Sequence, residues 1–255
     1  GGTVYYATMA AARLGYRAAM LTAATSWEAV PAAVSVASAP TRATSTFAHS
    51  YRHGVREQLV RAVAAPITAA HLPEAWRAAP LVHIGPVIDE CDPDLVFAFP
   101  GALVGVTPQG WMRRLGGPLP APMEPRPWEP PAELLRRIDL LVLSVEDVAG
   151  DEALVAAYAS ECPVVALTRG ADGLTLFVRG APHHVPAYPV ESVDSNGAGD
   201  VFAAAMLIHL FETGDPLRAA RFAAVAAALA VAGRGGARIP SRAAVIAHGR
   251  GWQPL

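Results

Sequence analysis

An α/β fold around a mainly parallel sheet is what this sequence predicts, on three observations. The 255 residues are 53% hydrophobic and 16% charged, enough apolar side chains to close one large core. Four short runs, LVHI at 81–84, LVFAF at 95–99, LLVLS at 140–144 and VVALT at 164–168, have the length and composition of strands buried on both faces. Helical stretches such as DEALVAAYASE lie between them, the alternation expected of a parallel sheet.

Taken in order, the elements support this reading with two interruptions. From 34 to 60 the pattern changes: VSVAS, TSTFAHSYR and VREQLV alternate polar and apolar residues, with His53-Gly54 as a turn signal. A small antiparallel sheet is therefore expected as an insertion at 34–60, a lid or a peripheral hairpin, with 1–33 and 61–255 forming the α/β core. The segment GPLPAPMEPRPWEPP, 117–131, holds seven prolines and is expected to be a rigid surface connection rather than helix or central strand. The run AARFAAVAAALAVAG at 219–233 contains Arg221 and is too short to span a bilayer, which needs about 20 apolar residues, so it reads as a buried helix.

Charge and composition exclude several functions. The formal charge is −2, with no basic stripe for nucleic acid and no polybasic patch for a membrane, so a small neutral or anionic substrate is expected. All 20 basic residues are arginine; without lysine, a Walker-type phosphate lysine and a Schiff base are impossible. Cys91 and Cys162 have neither zinc-site nor disulfide-framework spacing, and a reducing, cytoplasmic setting is the default expectation. No GxGxxG follows an early strand and no GxSxG elbow occurs, which argues against a nicotinamide oxidoreductase and a serine hydrolase. His183-His184 is not a metal pair, because neighbouring residues of a strand point to opposite faces.

The most informative stretch is VDSNGAGDVFAAAMLIHL, 193–210. Asp194, Ser195 and Asn196 suit a turn or helix cap, and Gly197-Ala198-Gly199 can expose backbone N–H groups at a helix start, where the dipole attracts an anion. Asp200 would repel that anion unless it takes the proton of a hydroxyl that attacks it, an arrangement that fits phosphoryl transfer. Helix physics alone leaves open whether Asp194 and Asp200 merely favour the dipole.

This stretch resembles the DTxGAGDxFxxG signature of the ribokinase, or PfkB-type, carbohydrate kinase family, with Ser195 in place of the threonine. Other segments are similar in the family's order. GGTVYYATMAAARLG (1–15) resembles GGKGANxAxxxARLG, and LVLSVEDVAG the strand end carrying Asn-x-x-Glu. VVALTRGADGLTLF resembles the Thr-x-Gly-x-x-Gly nucleotide turn, and 224–240 the closing helix and adenine-side loop. The resemblance implies a three-layer α/β/α sandwich with a small antiparallel lid, and a kinase passing the γ-phosphate of ATP, with Mg2+, to a hydroxyl of a small sugar or polyol.

Position by position, the resemblance makes Asp200 the catalytic base and the N–H groups of Gly197, Ala198, Gly199 and Asp200 the anion hole. Thr168, Arg169, Gly170 and Gly173 would line the nucleotide phosphates and ribose, with Gly235 and Gly236 near adenine. Gly1, Gly2, Tyr6 and Gln109 would meet the acceptor. Ser144-Val145-Glu146-Asp147 replaces Asn-x-x-Glu, so Asp147 or Glu146 would serve the metal. Tyr6 stands where the family has a substrate-binding asparagine, which departs from a standard ribose pocket.

GGTVYYA, SVED and GVTPQGWMRR (105–114) are similar to the branch that includes myo-inositol kinases; ribose, fructose or a nucleoside is the alternative acceptor. Trp111 and Arg113 are expected to face the cleft with Gln109, and Trp111 either stacks on a ring or packs in the core. The family's usual first strand would precede Gly1, so either a segment ahead of Gly1 is missing or the sheet is one strand short. A homodimer through the lid is admitted, and a non-catalytic sugar- or nucleotide-sensing relative is the alternative of another class, against which Asp200 argues.

Overall fold

The computed structural model describes residues 2–27, 29–52, 55–233 and 238–252, and for 49–52 and 55–57 the backbone alone. The expected turn at His53-Gly54 lies outside the described residues.

The chain begins with α1 (Thr3–Arg13), β1 (Ala19–Thr22), β2 (Ser35–Ser38), β3 (Thr46–Arg52) and β4 (Val55–Ala62). It continues through β5 (Leu81–Ile84), β6 (Leu103–Val106), β7 (Arg113–Leu115), β8 (Ala121–Pro125) and α2 (Ala132–Arg137). The remainder is β9 (Leu140–Ser144), α3 (Glu152–Glu161), β10 (Val164–Thr168), β11 (Leu174–Val178), β12 (Ala181–Val185), α4 (Ala198–Thr213), α5 (Pro216–Val231) and α6 (Arg242–Gly249).

A six-stranded sheet of order β12-β11-β10-β9-β6-β5 forms the middle layer, parallel from β5 to β10 and antiparallel at β11 and β12. Alternation along β9 shows the layering. Leu140 and Val142 join a core with α1, α4, α5 and α6, whereas Leu141 and Leu143 join the opposite core with α2 and α3. All four side chains are buried, each worth about 1.5–3 kcal/mol of transfer free energy, and the helices cover both faces. The sheet and its two helical layers are the expected sandwich.

Three expected elements differ. Residues 95–99 are not a strand: Pro93–Ala98 is a 3-10 helix begun by Pro93, with the Asp92 carboxylate accepting from Asp94 N–H at 3.0 Å. β2 is the parallel partner of β1 rather than a member of the antiparallel sheet. That sheet has the order β3-β4-β8-β7, so residues 34–60 do not bound it and the proline-rich segment supplies an interior strand. β8 tolerates Pro122 and Pro125 because its ladders are short, two pairs with β4 and three with β7.

Helix α4 is buried nearly all round, from Val201 to Leu210, and Gly214 closes it in the left-handed conformation at φ 65°. Its C-terminal turn is fixed by Glu212, which accepts from Tyr16 Oη at 2.8 Å, Arg242 Nη1 at 3.0 Å and the His209 ring at 3.1 Å. Burial acts to raise the Glu212 carboxyl, but hydrogen bonds from Arg242, Tyr16 and His209 prevail and hold it at about 2. A depressed folded-state carboxyl contributes stability above its unfolded value near 4.5 that is lost as pH falls towards 2. Glu212→Gln is expected to lower stability by about 1–2 kcal/mol at pH 7 and by progressively less as pH falls towards 2, as read by denaturant midpoints across that range.

Among the described residues no helix is long and apolar enough to cross a membrane.

Candidate active site

The parallel strands β5, β6, β9 and β10 end on one edge of the sheet, at Gly85, Thr107, Ser144 and Thr168, where an α/β sheet opens its crevice. The starts of α1 and α4 meet there. Thr3, the first residue of α1, packs so closely on Gly85 that a Cβ at residue 85 would lie 2.1 Å from Thr3 Cγ2. Gly197, the N-cap of α4, has φ 80° and lies under the Tyr6 ring, where a Cβ would come within 2.4 Å of ring carbons. Two requirements, a left-handed backbone and the ring, therefore demand glycine at 197.

Asp200 sits in the first turn of α4. Burial, reinforced by the charge of Asp147, pushes its carboxyl up to about 6, while a hydrogen bond from the buried Thr3 hydroxyl opposes the rise. Burial, followed by the charges of Asp194 and Asp200, also raises the Tyr6 phenol. Ala198 N–H closes a turn onto Ser195 O at 3.2 Å, which leaves Gly199 and Asp200 N–H as the first-turn donors directed along the helix axis. Asp194 does not cap α4: its carboxylate accepts from Asn196 N–H at 3.0 Å in the preceding turn.

Asp147 faces this helix start from the end of β9, with its side chain only 6% exposed. Its Oδ2 accepts from Ser144 N–H at 2.9 Å and Ser144 Oγ at 2.8 Å. Its Oδ1 accepts from Gln109 Nε2 at 3.2 Å and Arg113 Nη2 at 3.4 Å. Four protein donors occupy both oxygens, so Asp147 anchors Gln109 and Arg113 and presents no bare oxygen to a metal. Glu146 is exposed in the same turn. Among the described residues, no group of three His, Cys, Asp or Glu side chains could hold a metal ion.

One strand further on, Thr168 pairs with Ser144 and its hydroxyl donates to Leu143 O at 3.3 Å. The turn Arg169 to Gly173 is closed by Arg169 N–H on Gly173 O at 2.8 Å, with Gly170 at φ 56° and Gly173 at φ 81°. A Cβ at 173 would meet Val185 O at 2.3 Å, so the turn is built against β12. Gly173→Ala is expected to destabilise the protein by about 2 kcal/mol or more, measured as a shifted denaturant midpoint, because backbone rather than a side chain would have to move. Arg169 pairs with Glu152 at 3.2 Å rather than standing free.

The structure thus brings Tyr6, Gln109, Asp147, Gly197 and Asp200 together, with Thr168, Gly170 and Gly173 on the adjoining strand ends and Gly2 at the start of α1. Gly1, Gly235 and Gly236 lie outside the described residues. Trp111 belongs to the core: it is buried, donates from Nε1 to Cys91 O at 2.7 Å and stacks on Trp128 with centroids 5.3 Å apart. Sequence reasoning missed Thr3 and Ser144, the hydroxyl partners of the two aspartates. Ser144 was readable as the residue three before Asp147; Thr3, distant in sequence from Asp200, carried no signal.

Comparison with known proteins agrees with this geometry. Residues 135–243 match the model of the pfkB family carbohydrate kinases. The bifunctional protein HldE of Caulobacter sp. (strain K31) is 43% identical over 116 residues, which are 42% of this chain and 23% of that protein. The match therefore spans less than a quarter of that relative's length. Arabidopsis thaliana ribokinase complexed with ribose and ATP superposes with a TM-score of 0.72 at 20% identity, covering 98% of this chain and 87% of that one. A pyrophosphate-dependent kinase in the ribokinase family, complexed with a pyrophosphate analog and myo-inositol, gives 0.78 at 21% identity, covering 97% and 91%. Residues 135–243 are thus similar to the pfkB family carbohydrate kinases, and the described residues carry the ribokinase-like α/β fold.

Proposed function

We propose that the protein is a kinase that transfers the γ-phosphate of ATP to a hydroxyl of a small sugar or polyol, with a myo-inositol-like acceptor favoured. The observation that carries this reading is Asp200: a carboxylate held near neutrality in the first turn of a helix whose N–H groups face the same crevice. In this scheme Asp200 takes the proton of the attacking hydroxyl, and Gly199 and Asp200 N–H stabilise charge on the travelling phosphoryl group. Thr3 orients the carboxylate by its hydrogen bond. Mg2+ would neutralise the donor phosphates, with exposed Glu146 as the side chain that would hold it, since Asp147 is engaged.

The acceptor would lie between Tyr6, Gln109 and Arg113. An amide, a guanidinium and a phenol suit hydroxyls spread around a polyol ring better than a single carbonyl. Arg113 also bonds Gln58 of β4 at 3.3 Å, which ties the antiparallel sheet to Asp147 and supports its role as a lid over the acceptor. The Thr168–Gly173 turn would take the nucleotide phosphates, with Gly235 and Gly236 on the adenine side.

The test is a phosphorus NMR screen of the full-length protein with ATP or pyrophosphate against inositols, ribose, fructose and nucleosides. A phosphorylated polyol or sugar formed from ATP is expected. Transfer only to nucleosides would replace the acceptor, transfer only from pyrophosphate would replace the donor, and no transfer with ligand binding retained would favour a sensing protein.

A further inference from the structure

Two loops leave the sheet side by side at the crevice edge. Residues 85–91 follow β5, and 107–112, which carry Gln109, follow β6. They meet backbone to backbone. Gly110 N–H donates to Pro86 O at 3.0 Å, and a Cβ at residue 110 would lie 2.5 to 2.7 Å from main-chain atoms of Pro86, Val87 and Ile88. The first loop is folded onto the Glu90 carboxylate, which accepts from Val87 N–H at 2.9 Å and Ile88 N–H at 2.6 Å.

Beside Glu90, Asp89 stands at φ 60°, a left-handed backbone that residues other than glycine seldom adopt. Its carboxylate meets the Arg126 guanidinium fork to fork, Oδ2 with Nη1 and Oδ1 with Nη2, both at 2.9 Å. The same guanidinium donates to Trp111 O from Nε at 3.0 Å and from Nη2 at 2.8 Å, and Arg126 N–H donates to Met112 O at 2.8 Å. Arg126 thus ties the Asp89 turn to the end of the second loop through a planar group that lysine cannot imitate. The two side chains are 49% and 37% exposed, and an ion pair so exposed adds little to stability. A left-handed residue held by it at a crevice therefore points to function. Gln109 lies between the two ties, Gly110 on Pro86 and Trp111 on Arg126, and its amide reaches Asp147 at 3.2 Å.

We propose that Asp89 and Arg126 are positioning residues for the acceptor: their clamp fixes the 107–112 loop and so sets where the Gln109 amide meets the acceptor hydroxyls. The proposal rests on the reading of Gln109 as an acceptor ligand. In this role both residues act through Gln109 rather than on the acceptor. Arg126 directly follows β8, so the clamp also ties the antiparallel sheet to the loop that carries Gln109.

The test compares Asp89→Gly, Arg126→Lys, Gln109→Ala and the double variant Asp89→Gly with Gln109→Ala in the full-length protein. Glycine suits φ 60° better than aspartate, so a turn that served folding alone would be kept or improved by Asp89→Gly. The readouts are amide hydrogen exchange at Gly110 and calorimetric titration with myo-inositol, ribose and fructose, and separately with ATP. Asp89→Gly and Arg126→Lys are each expected to speed Gly110 exchange ~10-fold and to weaken the bound acceptor at least ~5-fold, with ATP affinity within about twofold. In the Gln109→Ala background, Asp89→Gly is expected to cost no further acceptor affinity. Unchanged exchange at Gly110, full acceptor affinity in Asp89→Gly, an equal loss of ATP affinity, or additive losses in the double variant would each overturn the proposal alone. Binding of none of the three acceptors by the unaltered protein, or full acceptor affinity in Gln109→Ala, would overturn the acceptor reading and the role of the clamp with it.

Discussion

Asp200→Asn is expected to lower kcat/KM for phosphoryl transfer at least ~10^3-fold while leaving donor affinity within a few fold. A positioned base contributes about 10^2–10^4 in rate, and an amide of the same shape keeps the packing and the Thr3 contact but accepts no proton. The same change is expected to make the protein more stable at pH 7. The Asp200 carboxyl is raised from 3.8 to about 6. Between those values the folded state holds a proton that the unfolded state has lost, so the carboxylate's contribution to stability declines as pH rises through that window. Asparagine removes the dependence. A gain on the order of 1–2 kcal/mol is expected, since a tenfold change in proton affinity between the unfolded and folded states corresponds to about 1.4 kcal/mol and partial solvent contact reduces it. Turnover assays with equilibrium melts at pH 4 and 7 separate the two effects. A mutant both inactive and less stable at pH 7 would point to a packing role for Asp200.

Gly197→Ala carries the second large effect. Alanine in the left-handed region costs about 1–2 kcal/mol, and the added Cβ would stand 2.4 Å from the Tyr6 ring. Since Tyr6 is itself on α1, relief requires the two helix starts to separate, which withdraws the N–H donors from the phosphate. A loss of roughly 10^2-fold in kcat and about 3 kcal/mol in stability is expected. The double variant Tyr6→Ala with Gly197→Ala is expected to recover the part of the stability due to the ring collision and not the part due to the backbone. If the double variant were less stable than the sum of the singles, the contact would not be the source of the constraint.

The strands at 81–84, 140–144 and 164–168 were legible because burial on both faces writes itself into sequence as an unbroken apolar run. The same signal misled at 95–99, where Pro93 and Asp92 start a 3-10 helix that is buried without being extended. Ser35–Ser38 alternates like a strand of a half-exposed sheet, yet its partner is β1, since alternation reports burial and not the neighbour. The glycine-rich start of α4 was readable because backbone exposure demands glycine locally. The surroundings of Asp147 were not, because Ser144, Gln109 and Arg113 reach it from separate strand ends that only the folded sheet brings together.

The pH dependence of kcat/KM for phosphoryl transfer by the full-length protein tests the central claim most directly. With Asp200 as the base, log kcat/KM is expected to fall with unit slope below about pH 6 and to level off above it, matching the carboxyl raised by burial and Asp147. A rate unchanged between pH 5 and 7.5, or an inflection retained in Asp200→Asn, would contradict the assignment.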